Sequence, residues 1–371
     1  MTSFAGIFFR NTNNSCLKYR KPTTFPIHSI HHSTRRTVLQ RGLSLGIAGA
    51  LPGWTASAFA ADQGPIVLYN GQHKATTQKL LDAFTAATGI KVESRKGSSI
   101  QLANQIIEEG ARSPADLFFS EESPPVAALA ERGLLARLAP ATLEQVRAGY
   151  RDPDGYWSGV TARCRVTAYN KKMVKESELP ASVLDMATAA WKGRVAYVPT
   201  SGAFQQQIVA ISTLKGRDTA LAWLKGLKQY GEAYGSNKAA MTAVERGEIA
   251  TALINNYYWY NLAQEKGADK MQSAIHFSGN GDPGALVTVS AVGILKTARN
   301  AEAAQTLAAF MTGVAGQEIL SKAAAEWPMN PQVQPSFGLK PFADLHPPKV
   351  NPSSLKGAEE ALELRREAGL A

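Results

Sequence analysis

Two cysteines in 371 residues are too few for a disulfide framework, so the fold rests on an apolar core rather than on covalent staples. Beyond residue 60 histidine occurs only at His73, His276 and His346, and no paired cysteines occur. A histidine-rich zinc site, and with it a zinc hydrolase, has no support. Only one uninterrupted apolar stretch exists, close to the start, which excludes a polytopic membrane protein. No repeat or low-complexity segment is visible, and the 44% hydrophobic content is that of a globular chain rather than a disordered or collagen-like one. The first sixty residues lack acidic side chains altogether.

That last absence reassigns the charge. The chain carries a net +10, but seven of its Lys and Arg lie in residues 1–60, leaving 33 basic against 30 acidic residues elsewhere. A polyanion such as nucleic acid therefore loses its main support as a partner. The leader reads as a signal peptide of the twin-arginine type: Arg35-Arg36, a short apolar run from Gly42 to Trp54, then Ala58-Phe59-Ala60 before a cleavage point after Ala60. A membrane anchor is the competing reading, disfavoured by the short run and the small-residue site; residues 1–32 are long for a basic start, which leaves a transit peptide or a misplaced start open. The processed chain of about 310 residues keeps one thiol, Cys164, in an apparent strand, where a buried inert role is expected.

The length suggests two or three domain-sized units. Ile66–Asn70 reads as a strand, Lys74–Thr88 as a helix with Leu80, Leu81, Phe84 and Ala87 along one side, and residues 91–95 as a second strand. A helix from Gln101, a strand at Asp116–Ser120 and a helix opened by Pro124-Pro125 follow. This alternation marks an α/β unit with a mainly parallel sheet. The pattern restarts after Arg163 with strands at 164–170, 194–199 and 250–254, helices near 203–214, 218–229 and 239–247, and a helix through the string NNYYWYNLA. A long strand at Gly284–Lys296, two helices, a proline-rich stretch and a charged final helix complete the chain. Two α/β units with long strands crossing between them predict a bilobed, hinged α/β protein.

In open α/β sheets ligands sit beyond the carboxyl ends of strands. His73, the pair Glu121-Glu122, the run Thr200–Ala203 and the run Asn255–Tyr258 all follow strands. Ser201 is a good N-cap residue and Gly202 permits close backbone approach, so this helix start could hold an anion, although an ordinary capped helix reads the same way. Imidazole from His73, carboxylate from Glu121 and phenol from Tyr257 and Tyr258 would form an N/O site suited to a hard cation. Phenolate is an iron ligand, and one carboxylate with two phenolates neutralises Fe(III). A structural histidine and an aromatic packing face at Tyr257–Tyr260 are the plainer alternatives.

Five strings, YNGQHK, PADLFFSEE, TSGAF, ALINNYYWYNLA and DPGAL, resemble in order and spacing the periplasmic ferric-ion-binding proteins of bacterial iron importers, the bacterial transferrins. The resemblance runs from about Gly64 to the final helix. It implies a type II solute-binding fold: residues 61–163 plus about 288–338 as the first lobe, and 164–287 plus about 339–371 as the second. It implies His73 and Glu121 as ligands from the first lobe, Tyr257 and Tyr258 from the second, and a synergistic anion, phosphate or carbonate. Ser201, Gly202 and Ala203 would cradle that anion, with Asn237 and Asn255 as side-chain donors. One position departs: Glu122 stands where phosphate-holding relatives carry glutamine, which implies an altered anion preference, unless Glu122 points to solvent. Arg163 and Arg165 could offset cleft charge, or be ordinary strand-edge charges.

The expectation is a non-enzymatic, monomeric periplasmic carrier of Fe(III), free or chelated, that docks on an inner-membrane ABC permease with its ATPase. The rivals are a metal-independent carrier of a small anion or organic solute, and an exported non-haem iron enzyme. The second is poorly served by a single strand-end histidine.

Overall fold

The computed structural model describes residues 64–350, 355 and 357–371. The leader, with its arginine pair and cleavage point, lies outside them, as does Pro352. Ala61–Ala371 forms one compact unit.

The first part alternates as the pattern predicts: β1 (Ile66–Asn70), α1 (Lys74–Thr88), β2 (Val92–Lys96), α2 (Ser99–Glu109), β3 (Leu117–Ser120) and α3 (Ser123–Glu131). Helix α1 buries Thr77, Leu80, Leu81 and Phe84, leaves Ala87 exposed, and stops where Gly89 turns left-handed at φ 75°. Helix α2 starts at a capping box in which Ser98 and Gln101 satisfy each other's backbone N–H. The short β4 (Leu135–Ala136) and α4 (Pro140–Glu144) lead to β5 (Trp157–Asn170), fourteen residues long and buried throughout.

After β5 come β6 (Val195–Tyr197), α5 (Gly202–Lys215), α6 (Arg217–Tyr230), β7 (Glu232–Ala233), α7 (Asn237–Arg246), β8 (Thr251–Asn255), α8 (Asn256–Lys266) and β9 (Ser273–His276). The chain then returns through β10 (Val287–Leu295), α9 (Ala301–Thr312), α10 (Val314–Ala323), β11 (Trp327–Pro328) and α11 (Ala358–Glu367).

Strand order is β2-β1-β3-β10-β5-β8-β6-β7, with β4 on β10 and β9 and β11 on β5. The expected parallel pairing holds for β1 with β2 and β3, and for β6 with β7 and β8. The central pairs β3-β10, β10-β5 and β5-β8 are antiparallel, so the sheet is mixed. A strand that passes straight from one group to the other needs no helical crossover and enters the second group from the opposite direction. The changeover lies inside β5: residues up to Cys164 pair with β10, and residues from Arg165 onward pair with β8 and β9. Separate apolar clusters form around Phe118 and Trp157, around Leu68 and Phe84, around Phe204 and Trp223, and around Val166 and Ile254. Two lie with the β1–β3 group and two with the β6–β8 group, so the strand ends between them are held from both sides.

Candidate metal and anion site

The strand ends converge as the sequence rule requires. Because β1 and β3 are parallel neighbours, with Asn70 opposite Phe119, the residues that follow them emerge side by side. Gly71 is obligatory here: a Cβ on it would lie 2.3 Å from Ser99 Oγ. That close approach lets Ser99 Oγ accept the Glu121 N–H at 2.9 Å. His73 Nε2 then stands 3.6 Å from Glu121 Oε1, with the imidazole half exposed. Ser99 is a functional position that the sequence reading missed, since its role comes from a glycine 28 positions away.

On the other side β8 runs into α8 without a loop, and Asn255 is the N-cap residue. Tyr257 and Tyr258 therefore sit in the first helical turn, their ring centroids 4.4 Å apart. The Tyr257 ring lies 6.2 Å, edge-on, from that of His73. The aromatic run divides in function: Trp259 and Tyr260 pack edge to face at 5.1 Å, whereas Tyr257 and Tyr258 face a cavity. Burial first, then Tyr258 and Glu121, holds the Tyr257 phenol well above its ordinary pKa, against the opposing pull of Arg163. With no cation bound, this phenol keeps its proton.

The cavity measures about 210 Å³. Glu121, Glu122, Arg163, Ser201, Gly202, Ala203, Asn237, Asn255, Tyr257, Tyr258 and Thr288 line it, and His73 is not among them. Thr288 was not foreseen, although the polar alternation Thr288, Ser290 inside an apolar strand was a legible signal. Ser201 occupies the N-cap position of α5, but its hydroxyl does not cap the helix. It accepts instead from Asn237 Nδ2 at 3.0 Å, and the same amide lies 3.4 Å from the Tyr258 hydroxyl. Asn237 Oδ1 is buried without a partner. An orphaned acceptor, free N–H groups at a helix start and two phenols fit a bound cation with an accompanying anion.

Glu122 does not point to open solvent. Its Oε1 lies 2.4 Å from where a Gly202 Cβ would stand, so the carboxyl rests on the start of α5, in the space an anion would use. Burial, reinforced by the charge of Glu121 and partly opposed by Arg163, raises its pKa to about 7. Arg163 and Arg165 are both 2% exposed, which removes the strand-edge reading. Arg163 Nη2 pairs with Glu326 Oε1 at 2.8 Å, and its Nη1 donates to the Glu121 carbonyl. Burial alone would lower the Arg163 pKa; Glu326, Glu121 and Tyr257 more than offset it and hold the group charged. Cys164 between them is free and buried, and burial pushes its thiol up to about 12, which makes it inert. Among the described residues no group of three or more His, Cys, Asp or Glu stands within metal-binding reach of one another.

A family described as bacterial extracellular solute-binding protein matches residues 79–344. The major ferric iron-binding protein of Neisseria gonorrhoeae is 46% identical over 311 residues, which is 82% of this chain and 93% of that protein. The crystal structure of iron-bound HitA from Pseudomonas aeruginosa superposes with a TM-score of 0.79 at 50% identity, covering 82% of this chain and 99% of that one. Trichodesmium IdiA (FutA), in complex with iron and citrate ligands, gives 0.74 at 30% identity over 83% of this chain and 100% of that one. With the paired α/β groups, the cavity at their strand ends and this degree of likeness, the chain belongs to the bacterial extracellular solute-binding proteins, two-lobed carriers rather than enzymes, in the group of ferric-ion-binding proteins.

Proposed function

We propose that the protein is a periplasmic Fe(III) carrier that delivers iron to an inner-membrane ABC permease and its ATPase. The observation that carries this reading is Tyr257, Tyr258 and Glu121 lining one cavity, with His73 outside that lining but 3.6 Å from Glu121 and edge-on to Tyr257, two phenols being a donor set for Fe(III) and for few other cargoes. His73, Glu121, Tyr257 and Tyr258 hold the metal. Residues 61–163 with about 288–338, and 164–287 with about 339–371, act as the two lobes that close on it. Export by the twin-arginine route, with cleavage near Ala60, places it there as a monomer.

A synergistic anion completes the coordination from Ser201, Gly202 and Ala203, with Asn237 and Asn255 donating side-chain N–H. The position of Glu122 over Gly202 sets the anion preference. A carboxylate there repels a phosphate dianion more than it repels the hydrogencarbonate monoanion that prevails in carbonate buffer near neutral pH. The test is equilibrium dialysis against Fe(III)-citrate followed by washing in phosphate or carbonate buffer. One iron per chain, retained better in carbonate, is expected. Clear phosphate preference in the wild type contradicts the anion assignment, and no retained iron contradicts the ferric reading.

A further inference from the structure

Two guanidinium groups lie buried at the cavity, and among the described residues only that of Arg163 has a counter-ion. Arg163 and Arg165 are two residues apart on β5 and so share a face. Arg163 is taken up by Glu326. No ion pair among the described residues includes Arg165. Its donors go to neutral oxygens: Nε to Gln207 Oε1 at 3.1 Å, Nη1 to Asn255 Oδ1 at 3.3 Å and Nη2 to the Leu253 carbonyl at 2.8 Å.

An uncompensated buried cation is unfavourable until negative charge arrives beside it. The strand register sets where that charge would arrive. Arg165 is the register partner of Asn255, the residue from which α8 starts and after which Tyr257 and Tyr258 follow. Those two phenols are the first partners that oppose the effect of burial on Arg165, which still lowers the guanidinium to about 10. The contact also fixes Asn255. Guanidinium only donates, so Asn255 must turn its carbonyl oxygen toward β5 and its NH₂ away from it, toward the cavity that Asn255 lines.

We propose that Arg165 is a positioning residue for the iron site: its unpaired charge compensates the metal-bound phenolates and the anion, and its fork sets the donor face of Asn255. The inference rests on the ferric reading above and assigns the source of its charge balance. Arg165 is not among the residues that line the cavity.

The experiment compares the full chain with Arg165→Gln and Arg165→Lys. Three quantities are read: melting of the metal-free protein, Fe(III) affinity by citrate competition, and the visible tyrosine-to-iron band. For Arg165→Gln the metal-free protein is expected to melt at or above the wild-type temperature, while iron binding weakens about tenfold to a hundredfold and the band shifts. Arg165→Lys, which keeps the charge, is expected to regain part of the affinity and the band. Wild-type affinity and band in Arg165→Gln overturn the inference, as does an Arg165→Lys that folds yet falls as far as the glutamine variant. If the glutamine variant does not fold, the lysine variant decides alone: a retained band supports the inference, and a lost band in a folded protein overturns it. A wild type with no iron and no band overturns the ferric reading and this inference together; a wild-type band beside an unaffected Arg165→Gln overturns only this one.

Discussion

Single side chains here carry chemistry that their residue types announce but whose surroundings decide. Glu122 is the clearest case. As a letter in the sequence it could have faced solvent; in the fold its carboxyl rests on Gly202 beside Glu121, and its pKa rises to about 7. The sign of the consequence follows directly. Between about pH 4.5 and 7 the folded chain binds a proton that the unfolded chain does not, so this group's contribution to stability is full at low pH and is lost as pH rises through 7. Glu122→Gln removes the liability. The metal-free variant should melt a few degrees above wild type at pH 8, a gain on the order of 1 kcal/mol, and should match wild type near pH 4.5. An equal gain at both pH values would mean that the carboxyl is not the cause. Ser201 teaches the converse: an ideal N-cap residue by type, it spends its hydroxyl on Asn237.

At the scale of elements, the short apolar strands and the capped helices were legible because their signals are local. Ile66–Asn70, the Ser98 capping box and the direct run of β8 into α8 all declare themselves within a dozen residues. The first half of β5 did not. Ser158, Thr161 and Arg163 make residues 157–163 look like a loop, and they become strand because Ser290 and Glu326, more than 125 positions later, satisfy Thr161 and Arg163 inside the core. The four proposed ligands were legible as strand-end residues and by resemblance, and Thr288 by its polar alternation with Ser290; the supporting Ser99 and Glu326 were not, since each acts through a partner remote in sequence. Gly71 joins the two levels. Gly71→Ala would drive a methyl group into Ser99, so overpacking of about 1–3 kcal/mol is expected. Because Ser99 holds the Glu121 backbone, iron affinity should fall with it. Loss of stability with unchanged affinity, read by melting and citrate competition, would separate Glu121 from that chain of contacts.

For the whole molecule the account is one of linkage. Tyr257 holds its proton when no metal is present, so a ferric ion must displace it, and affinity must climb with pH. Iron affinity is expected to drop at least about tenfold per unit from pH 7 to pH 5, measured by chelator competition at each pH. A flat profile would mean that no phenol ionises on binding. On the proposed function, the same coupling is expected to strengthen capture near neutral pH and to ease release where protons compete for the ligands.

The measurement that meets the central claim most directly is a visible-absorption titration of the purified protein with Fe(III)-citrate, with Tyr257→Phe alongside. The account expects a broad band that saturates at one iron per chain and is weaker in the variant, the mark of charge transfer from phenolate to iron. A wild type that shows no band in phosphate, carbonate or citrate would contradict it, leaving Tyr257 and Tyr258 as packing and the cavity as the seat of a metal-free solute.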